Sequence, residues 1–501
     1  MPRAEKTTRA VSQEAVSGVQ LMSGAYQAPA KSFWVDVWGQ VFRRPGAVMG
    51  IFWVAVVAFF AIFAPVLASG HPLILWELDE AGNAVSWSSP LFQSLTAVDL
   101  LILAAGVFGP LWLLLPLKSK RSDRMMRLVM GAGQAGVILL IAGQIDSYAS
   151  GRDVADWVRS MERSPMFVPL AAAVSAVVGS IPFFFIPMAP TLRTRIVFVC
   201  FVGVLVALCA GTRWSAPLST FDYERREMAG EIRAVYTVIP YSPNQRRLDL
   251  DLLPPGAVAA DSTKFIGDPE EGAGAPYRMG TDSQGQDVLS QMLHACRLSI
   301  SIGLVSTGIA VFIGVTIGAL MGYFGGWVDM VLYRVVEVFM AIPVLFLLIV
   351  AAAVLPRNVF VMMAIIGCVT WTGAARFTRA EFYRLRNQDF VQAARAVGLP
   401  LRSILFRHML PNGVTPVLVD ASFAIAAAIL AEAILSFLGL GPIDQASWGR
   451  LLADATNEVG AFIWWLAIFP GFAIFLTVLS YNMIGEALRD AIDPKLKKAR
   501  V

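Results

Sequence analysis

Charged residues are scarce in this sequence, and so are the motifs of catalysis. Only 15% of its 501 residues are charged and 56% are hydrophobic, whereas a typical soluble domain has about 25% charged residues. The sequence contains no G-x-x-x-x-G-K-[ST], so the chain has no P-loop of its own. It also lacks H-E-x-x-H and a nucleophile elbow. We therefore predict no catalytic residues and a protein that is not an enzyme.

Cysteine and histidine are also rare. The four cysteines form no C-x-x-C pair, and the three histidines are scattered along the chain. Disulfide and zinc frameworks need such residues in clusters. We therefore expect free thiols, no metal site and no cofactor bound by this chain.

Long apolar runs dominate the sequence instead. A helix needs about 20 mostly apolar residues to cross a bilayer, and the backbone must satisfy its own hydrogen bonds in lipid. Ten stretches meet this requirement approximately: 47–68, 97–117, 127–145, 166–189, 195–212, 298–323, 329–355, 359–379, 413–439 and 461–486. The sequence thus predicts an all-α integral membrane protein with about ten transmembrane helices.

Basic residues in the short loops predict the orientation of these helices. Segment 118–127 carries five basic residues and one acidic one, and 376–408 carries seven arginines and two acidic residues. Both fall on the inner side if the N-terminus is inside, and so does the tail from Arg489. We predict that both termini are inside. The long polar segment 213–297 then lies outside, either as a small cap or as an extended lid.

The inner loop 376–412, called the coupling loop below, has a helix–break–helix pattern. Residues from Glu381 to Val397 are mostly good helix formers. Gly398 suits a helix C-terminus and Pro400 prevents its continuation. A second helix is predicted from about Leu401 until Pro411 and Asn412 end it. Two short helices at an angle would make a rigid knob that protrudes from the membrane.

Several motifs make the chain resemble the C-type permease subunits of dipeptide and oligopeptide ABC importers, a class with nickel-transporting relatives. The coupling loop has Gln-Ala-Ala, a glycine four residues after the second alanine, and Leu-Pro twelve residues beyond that glycine. Four further motifs match: GTDSQGQDVLS from Gly280, GYFGGWVD from Gly322, LSFLGLG from Leu435 and EALRDAIDP from Glu486. The resemblance covers about 280–495 and the first helix.

The resemblance implies a type I ABC-importer permease (MetI-like) core in the bacterial cytoplasmic (inner) membrane. It implies a peptide importer whose partners are a second permease, two cytoplasmic ATPases and an extracytoplasmic binding protein, with ATP and Mg bound by the ATPases. It assigns ATPase docking and coupling to Gln392, Ala393, Ala394, Gly398, Pro400, His408, Leu410 and Pro411. Gln392 and His408 depart from the family pattern, in which glutamate and a hydrophobic residue are common.

The largest departure is an insertion of four helices, 97–212, which the usual six-helix subunit lacks. An even number of helices leaves the orientation of the core unchanged. The insertion is either a lateral scaffold or a lipid-facing addition without a distinct role. The predicted organisation is an N-terminal cytoplasmic segment 1–45, a first helix 46–69, the insertion 97–212, the outer segment 213–297, the core 298–488 and a basic tail 489–501.

A few intramembrane residues stand out. Gly314, Gly318 and Gly322 form G-x-x-x-G-x-x-x-G, which favours close helix packing, with lining of a pathway as the alternative. Glu432 and Asp420 lie in one apolar segment, where a charge usually faces protein or water. Glu432 either lines the substrate path or bonds neighbouring groups.

Other functions are left open. The cargo could be a peptide, nickel or another small solute. An ion-coupled secondary transporter would need paired intramembrane acids, and it would leave the coupling loop unexplained.

Overall fold

The computed structural model describes residues 33–79, 83–115, 121–149, 167–185, 192–212, 223, 226–227, 229–262, 264, 275–443, 445–457 and 462–492. Most of the predicted segment 1–45, residues 493–501 of the tail, residues 116–120 with the basic Lys118 and Lys120, and parts of 213–274 lie outside the described residues.

Helices make up most of the described chain. The N-terminal half contains α1 (Phe33–Val41), α2 (Pro45–Leu67), α3 (Pro90–Ser94), α4 (Ala97–Leu114), α5 (Arg121–Ala149), α6 (Phe167–Phe185) and α7 (Leu192–Thr212). The C-terminal half contains α8 (Val288–Phe324), α9 (Gly326–Ala341), α10 (Val344–Val354), α11 (Val359–Thr370), α12 (Thr372–Leu385), α13 (Asp389–Ala396), α14 (Leu410–Gly413), α15 (Thr415–Phe437), α16 (Trp448–Asn457) and α17 (Trp464–Ile492).

Each predicted membrane span overlaps a long apolar helix or a bent pair of helices in the structure. Among the described residues, eight helices are long and apolar enough to cross a membrane, and the count reaches ten if each of two bent pairs is one span. The pair α9 and α10 bends by 83°, and α11 and α12 by 43°. Pro343 precedes α10 and has no N–H to continue α9, so the first bend follows from the sequence.

Helix α8 begins ten residues before the predicted span at 298. Asp287 caps it, because its carboxylate accepts a hydrogen bond from the Ser290 N–H at 2.7 Å. The helix then runs for 37 residues, which is about 55 Å. Its first turn contacts the outer polar segment, since the Val288 N–H donates to Gly280 O. Ala319 and Tyr323 near its other end pack on the coupling loop. These two regions therefore lie at opposite ends of one helix.

In the part of the chain that the structure describes, a small antiparallel sheet departs from the all-α prediction. Its order is β2-β1-β3, with β1 at Ile74–Leu78, β2 at Ala84–Ser88 and β3 at Ile232–Val235. Trp76 pairs with Trp87 on one side and with Arg233 on the other. We call residues 70–96 with 229–287 the cap. The described outer segment is thus folded together with the loop that follows α2.

The two termini of the core lie side by side. Arg44 forms an ion pair of 2.6 Å with Asp490, and Val37 and Val41 of α1 pack on Ala487 and Ala491 of α17. This contact joins the first helix of the chain to its last one at the inner end.

The insertion forms its own packed unit. Buried Gln134 of α5 donates to Ser180 of α6 at 2.9 Å and to the Val199 carbonyl of α7 at 2.8 Å. Helix α4 contacts the core at two places. Gly106 lies against Ile62 of α2, and Asp99 forms an ion pair with Arg297 of α8. The insertion therefore sits beside α2 and the outer part of α8.

Candidate coupling loop

The coupling loop is built from α12, α13 and a wide helical turn, and two of its predicted boundaries are wrong. The single helix expected from Glu381 to Val397 is interrupted at Arg386–Gln388, between α12 and α13. Asn387 lies in this break, and asparagine competes with helical hydrogen bonds. The helix expected to end at Pro411 and Asn412 continues to Gly413.

A π-helical segment, Ser403–Met409, explains why Pro411 does not stop the second helix. Proline clashes with the carbonyl four residues earlier in a regular α-helix. Here the preceding turn is widened, and the Leu410 N–H donates to the Leu405 carbonyl. Such segments often lie at functional sites.

Gly398 ends α13 as its position predicts. Its φ is +75°, which lies in the left-handed region that glycine adopts without strain. The Leu399 N–H donates to Ala394 O at 3.1 Å, and the Gly398 N–H donates to Arg395 O at 2.9 Å. This pattern is a Schellman cap, so the direction of the chain after α13 is firmly set.

The knob has its own apolar interior. Phe382, Val391, Ile404 and Met409 are buried together. Ala319 of α8 joins this cluster. The knob is therefore attached to the membrane core through side-chain packing as well as through the chain.

Several apolar side chains of the knob are exposed. Val397 is 78% exposed and Phe406 is 61% exposed, and Leu401 and Phe390 of the same loop are exposed as well. Apolar groups left exposed on a polar loop are typical of a contact with another protein. These four residues define the candidate docking face, which sequence reasoning missed because it followed the motif residues.

The predicted coupling residues divide between surface and interior. Gln392, Ala393, Gly398, Pro400 and Pro411 are exposed, His408 and Leu410 are half-buried, and Ala394 is buried. Ala394 packs inside the knob, so only part of the motif faces outward.

The GYFGGWVD motif anchors the coupling loop. Arg379 of α12 donates to both carboxylate oxygens of Asp329, at 2.5 and 2.7 Å, a bidentate geometry that fixes direction as well as charge. The Arg395 guanidinium lies 4.7 Å from the ring centre of Tyr323. A Cβ on Gly325 would collide with Arg386. The motif was recognisable in the sequence, but its contact with the coupling loop was not.

The three glycines of α8 lie against α12. A Cβ on Gly314 would come within 2.6 Å of the Trp371 carbonyl, and one on Gly318 within 2.5 Å of the Ala375 carbonyl. At Gly322 the nearest atom is the Arg379 carbonyl, also at 2.5 Å. The structure thus places this stripe in a backbone-to-backbone helix contact.

The two acidic residues of α15 lie apart. Asp420 is half-buried, and its Oδ2 lies 3.3 Å from the Cβ position of Gly373 in α12. Glu432 is 1% exposed. Its Oε1 accepts hydrogen bonds from Ser436 at 2.6 Å and Ser447 at 2.7 Å, while Oε2 has no partner among the described residues. Glu432 therefore joins α15 to the start of α16 in this conformation.

A metal site is not assembled in the described part of the chain, where no three His, Cys, Asp or Glu side chains come together. The three histidines remain separate. His71 lies in the cap, where burial lowers its pKa below the usual value, and the other two belong to α8 and the coupling loop.

Two family models match the chain. Residues 314–498 match the binding-protein-dependent transport system inner membrane component. Residues 32–77 match the N-terminal transmembrane domain of oligopeptide transport permease C. Both models leave out the insertion.

Relatives that are peptide transport permeases by name each cover about half of this chain. The dipeptide transport system permease protein DppC of Alkalihalophilus pseudofirmus is 36% identical over 231 residues, which are 45% of this chain and 75% of the relative. The oligopeptide transport system permease protein OppC of Haemophilus influenzae is 40% identical over 217 residues, 43% of this chain and 70% of the relative. The di/tripeptide transport system permease protein DppC of Pseudomonas aeruginosa is 35% identical over 263 residues, which are 52% of this chain and 82% of the relative.

These matches agree with the motifs and with the packing of the first helix on the last. The chain belongs to the family of binding-protein-dependent transport system inner membrane components, among the C-type permease subunits of peptide ABC importers.

Proposed function

We propose that this chain is a permease subunit that imports di- and oligopeptides delivered by an extracytoplasmic binding protein. Its family makes it a non-catalytic, multi-pass protein of the bacterial inner membrane. Relatives named for dipeptides, oligopeptides and di/tripeptides support a peptide cargo over nickel.

The observation that carries this proposal is the anchored knob with an apolar face. Val397 and Phe406 are exposed there, at the end of α8 away from the cap. The Arg379–Asp329 pair and the Tyr323 contact hold the knob to the core. Because the knob is fixed to the core by these contacts, its surface suits a partner that transmits force through it.

The proposed complex contains a second permease of related sequence and two cytoplasmic ATPase subunits. ATP and Mg bind to the ATPases, and this chain binds neither. Closure of the ATPases displaces the knob, and α8 and α12 follow it because their backbones are in contact at Gly314, Gly318 and Gly322. The outward-facing and inward-facing states differ in their contacts with the ATPases, and ATP shifts their populations.

A first experiment tests the complex and its cargo together. The chain is purified in mild detergent from its native membrane, its co-purifying proteins are identified by mass spectrometry, and the complex is placed in liposomes with its binding protein. We expect a second permease, ATPases and ATP-dependent uptake of labelled dialanine. Recovery of the chain alone, or uptake driven by an ion gradient without ATP, would contradict the proposal.

A second experiment isolates the coupling loop. Gly398→Val forces a β-branched residue into a left-handed conformation, and Gly256→Val does the same in the cap. Neither added Cβ would meet another atom within 4 Å, so the two variants carry similar local strain. We expect Gly398→Val to lose its ATPase subunits during purification while Gly256→Val keeps them. If both variants retain the ATPase subunits equally, the coupling role of this loop is contradicted.

A further inference from the structure

A cleft of about 400 Å³ lies between the cap and the core. One wall is the end of α15 with the turn that follows it, and the other is α16. Arg246 of the cap reaches its rim. The lining residues used below are Arg246, Ser436, Gly439, Arg450 and Asp454. This volume is within the range of small-molecule sites, about 300–1,000 Å³.

The cleft opens at the cap end of the protein. Trp448 at the start of α16 donates to the Met292 carbonyl in the first turns of α8 at 3.2 Å. The coupling loop packs on the far end of the same helix. The cleft therefore lies at the end of α8 that carries the cap, which is the outer end in the predicted topology.

The walls of the cleft are held rigidly. Gly439, at φ +73°, ends α15, and the Leu440 N–H donates to Leu435 O at 2.9 Å. Buried Glu432 binds both Ser436 in one wall and Ser447 at the start of the other. The shape of the cleft is thus set before any ligand binds, which reduces the entropic cost of binding.

The two arginines in the cleft favour an anion. Arg450 donates through one nitrogen to the Ile443 carbonyl at 3.2 Å, which leaves most of its five N–H donors available. Arg246 is exposed. Two arginines suit a carboxylate, which they bind in a bidentate manner. Asp454 adds one negative charge to the same cleft.

We infer that this cleft is an outer subsite for the transported peptide, with Arg246 and Arg450 binding its C-terminal carboxylate. The inference rests on the proposed function. A dipeptide is a zwitterion of suitable size for the cleft. The buried Glu432 acts as a positioning residue, because it touches the walls rather than the peptide.

The test compares a peptide acid with its amide in the complete complex. Calorimetry first establishes the concentration at which each peptide, labelled dialanine or dialanine amide, saturates the binding protein. Uptake of each peptide into liposomes is then measured as a function of the concentration of this loaded binding protein. We expect the wild type to need about tenfold more loaded protein for the amide, the ratio typical of one lost charge-assisted hydrogen bond. In Arg450→Gln, and in the double variant that also carries Arg246→Gln, the difference between acid and amide should disappear, because uptake of the acid becomes weaker.

Arg357→Gln is the matched control, since Arg357 is exposed in the loop between α10 and α11 beside Pro442, but does not line this cleft. It should keep the wild-type ratio. Co-purification of the ATPases shows that each variant is assembled.

Two results would overturn the inference without affecting the proposed function. One is an unchanged ratio in Arg450→Gln and in the double variant. The other is an equal loss for the acid and the amide, which would mean that the arginines bind an acidic surface of the binding protein. Absence of ATP-dependent uptake of either peptide by the wild type would instead defeat the proposed function, and the inference with it.

Discussion

Gly318 shows how much one methyl group matters where two helices touch through their backbones. A Cβ there would lie 2.5 Å from the Ala375 carbonyl, so α8 and α12 would have to separate. We expect Gly318→Ala to destabilise the protein by about 1–3 kcal/mol, the usual cost of overpacking. The midpoint of thermal unfolding in detergent measures this.

Gly308 provides the control on the same helix. Its added Cβ would meet nothing within 4 Å, and alanine is the better helix former by about 1 kcal/mol. Gly308→Ala should therefore leave the unfolding midpoint unchanged or raise it. A similar fall for both variants would mean that the helix contact at Gly318 is not tight.

The bidentate pair of Arg379 and Asp329 supports a second prediction. Asp329→Asn removes the charge that orients Arg379, and we expect a loss of about 1–2 kcal/mol of stability together with weaker ATPase stimulation by loaded binding protein. Glu337→Gln on the same helix is the control, because its pair with Arg334 lies at the protein surface and such pairs contribute little. If both variants stimulate the ATPase like the wild type, Asp329 does not orient the knob.

Asp287 makes the cap sensitive to pH. Burial raises the pKa of its carboxyl to about 7, although hydrogen bonds from the Ser290 and Leu289 backbone and the charge of Arg278 act in the opposite direction. Because this folded pKa lies above the unfolded value of about 3.9, the folded state holds the proton more tightly. Its contribution to stability is present below pH 4 and is lost as the pH rises toward 7.

The corresponding measurement is the unfolding midpoint at several values between pH 5 and 8. The Asp287 contribution should fall by about 1.4 kcal/mol per pH unit up to about pH 7 and then level off. Asp287→Asn, which can still cap α8 but does not titrate, should show a flatter profile. An identical slope in the two proteins would assign the pH dependence to other groups.

Among the elements, α4 determines how the insertion is attached. Its Asp99 has two roles, since it completes a capping box with Thr96 and pairs with Arg297 of α8. Arg297→Gln removes the ion pair and leaves the cap of α4 intact. The side chain of Asp99 is only 13% exposed, and a poorly solvated charge without its partner is costly.

We therefore expect Arg297→Gln to lower the unfolding midpoint clearly and to increase proteolysis between the insertion and the core. Arg226→Gln serves as the control. Its contacts with Glu77 and Glu231 are at the surface, and such pairs contribute about 0–1 kcal/mol. Equal behaviour of the two variants would show that the insertion is held by its apolar contacts alone.

The elements also show how far sequence reasoning extends. Apolar length predicted every span, because lipid allows only fully hydrogen-bonded helices. Apolar length alone did not predict the bend between α9 and α10, which arises where Pro343 has no N–H to continue α9. The π segment before Pro411 was missed for a related reason. A proline predicts a helix end unless the preceding turn can widen, and the sequence does not report that adjustment.

In the candidate site, too, some features could be predicted from the sequence and others could not. The positive φ at Gly398 followed from residue type, since glycine is the usual residue there. The docking face did not, because Val397 and Phe406 resemble any buried apolar residue until the fold exposes them. The cleft between Arg246 and Arg450 joins residues 204 positions apart, and no local pattern connects them.

For the whole molecule, the position of the insertion explains why the core tolerates it. The two segments matched by family models, 32–77 and 314–498, meet at the Arg44–Asp490 pair and along α1 and α17. In the sequence, the insertion follows the first part of the cap and is followed by the second part of the cap and then by α8. It therefore lies beside the contact that closes the core, without separating the elements that make it.

Helix α8 also has a mechanical consequence. It is about 55 Å long, it is unbroken from Val288 to Phe324, and its ends carry the cap and the knob. A stiff rod of that length acts as a lever: a tilt of about 10° around its midpoint displaces each end by about 5 Å, in opposite directions. The movements of the cap and the knob are then coupled through one helix. A hinge introduced at the centre of α8 would let either end move without displacing the other.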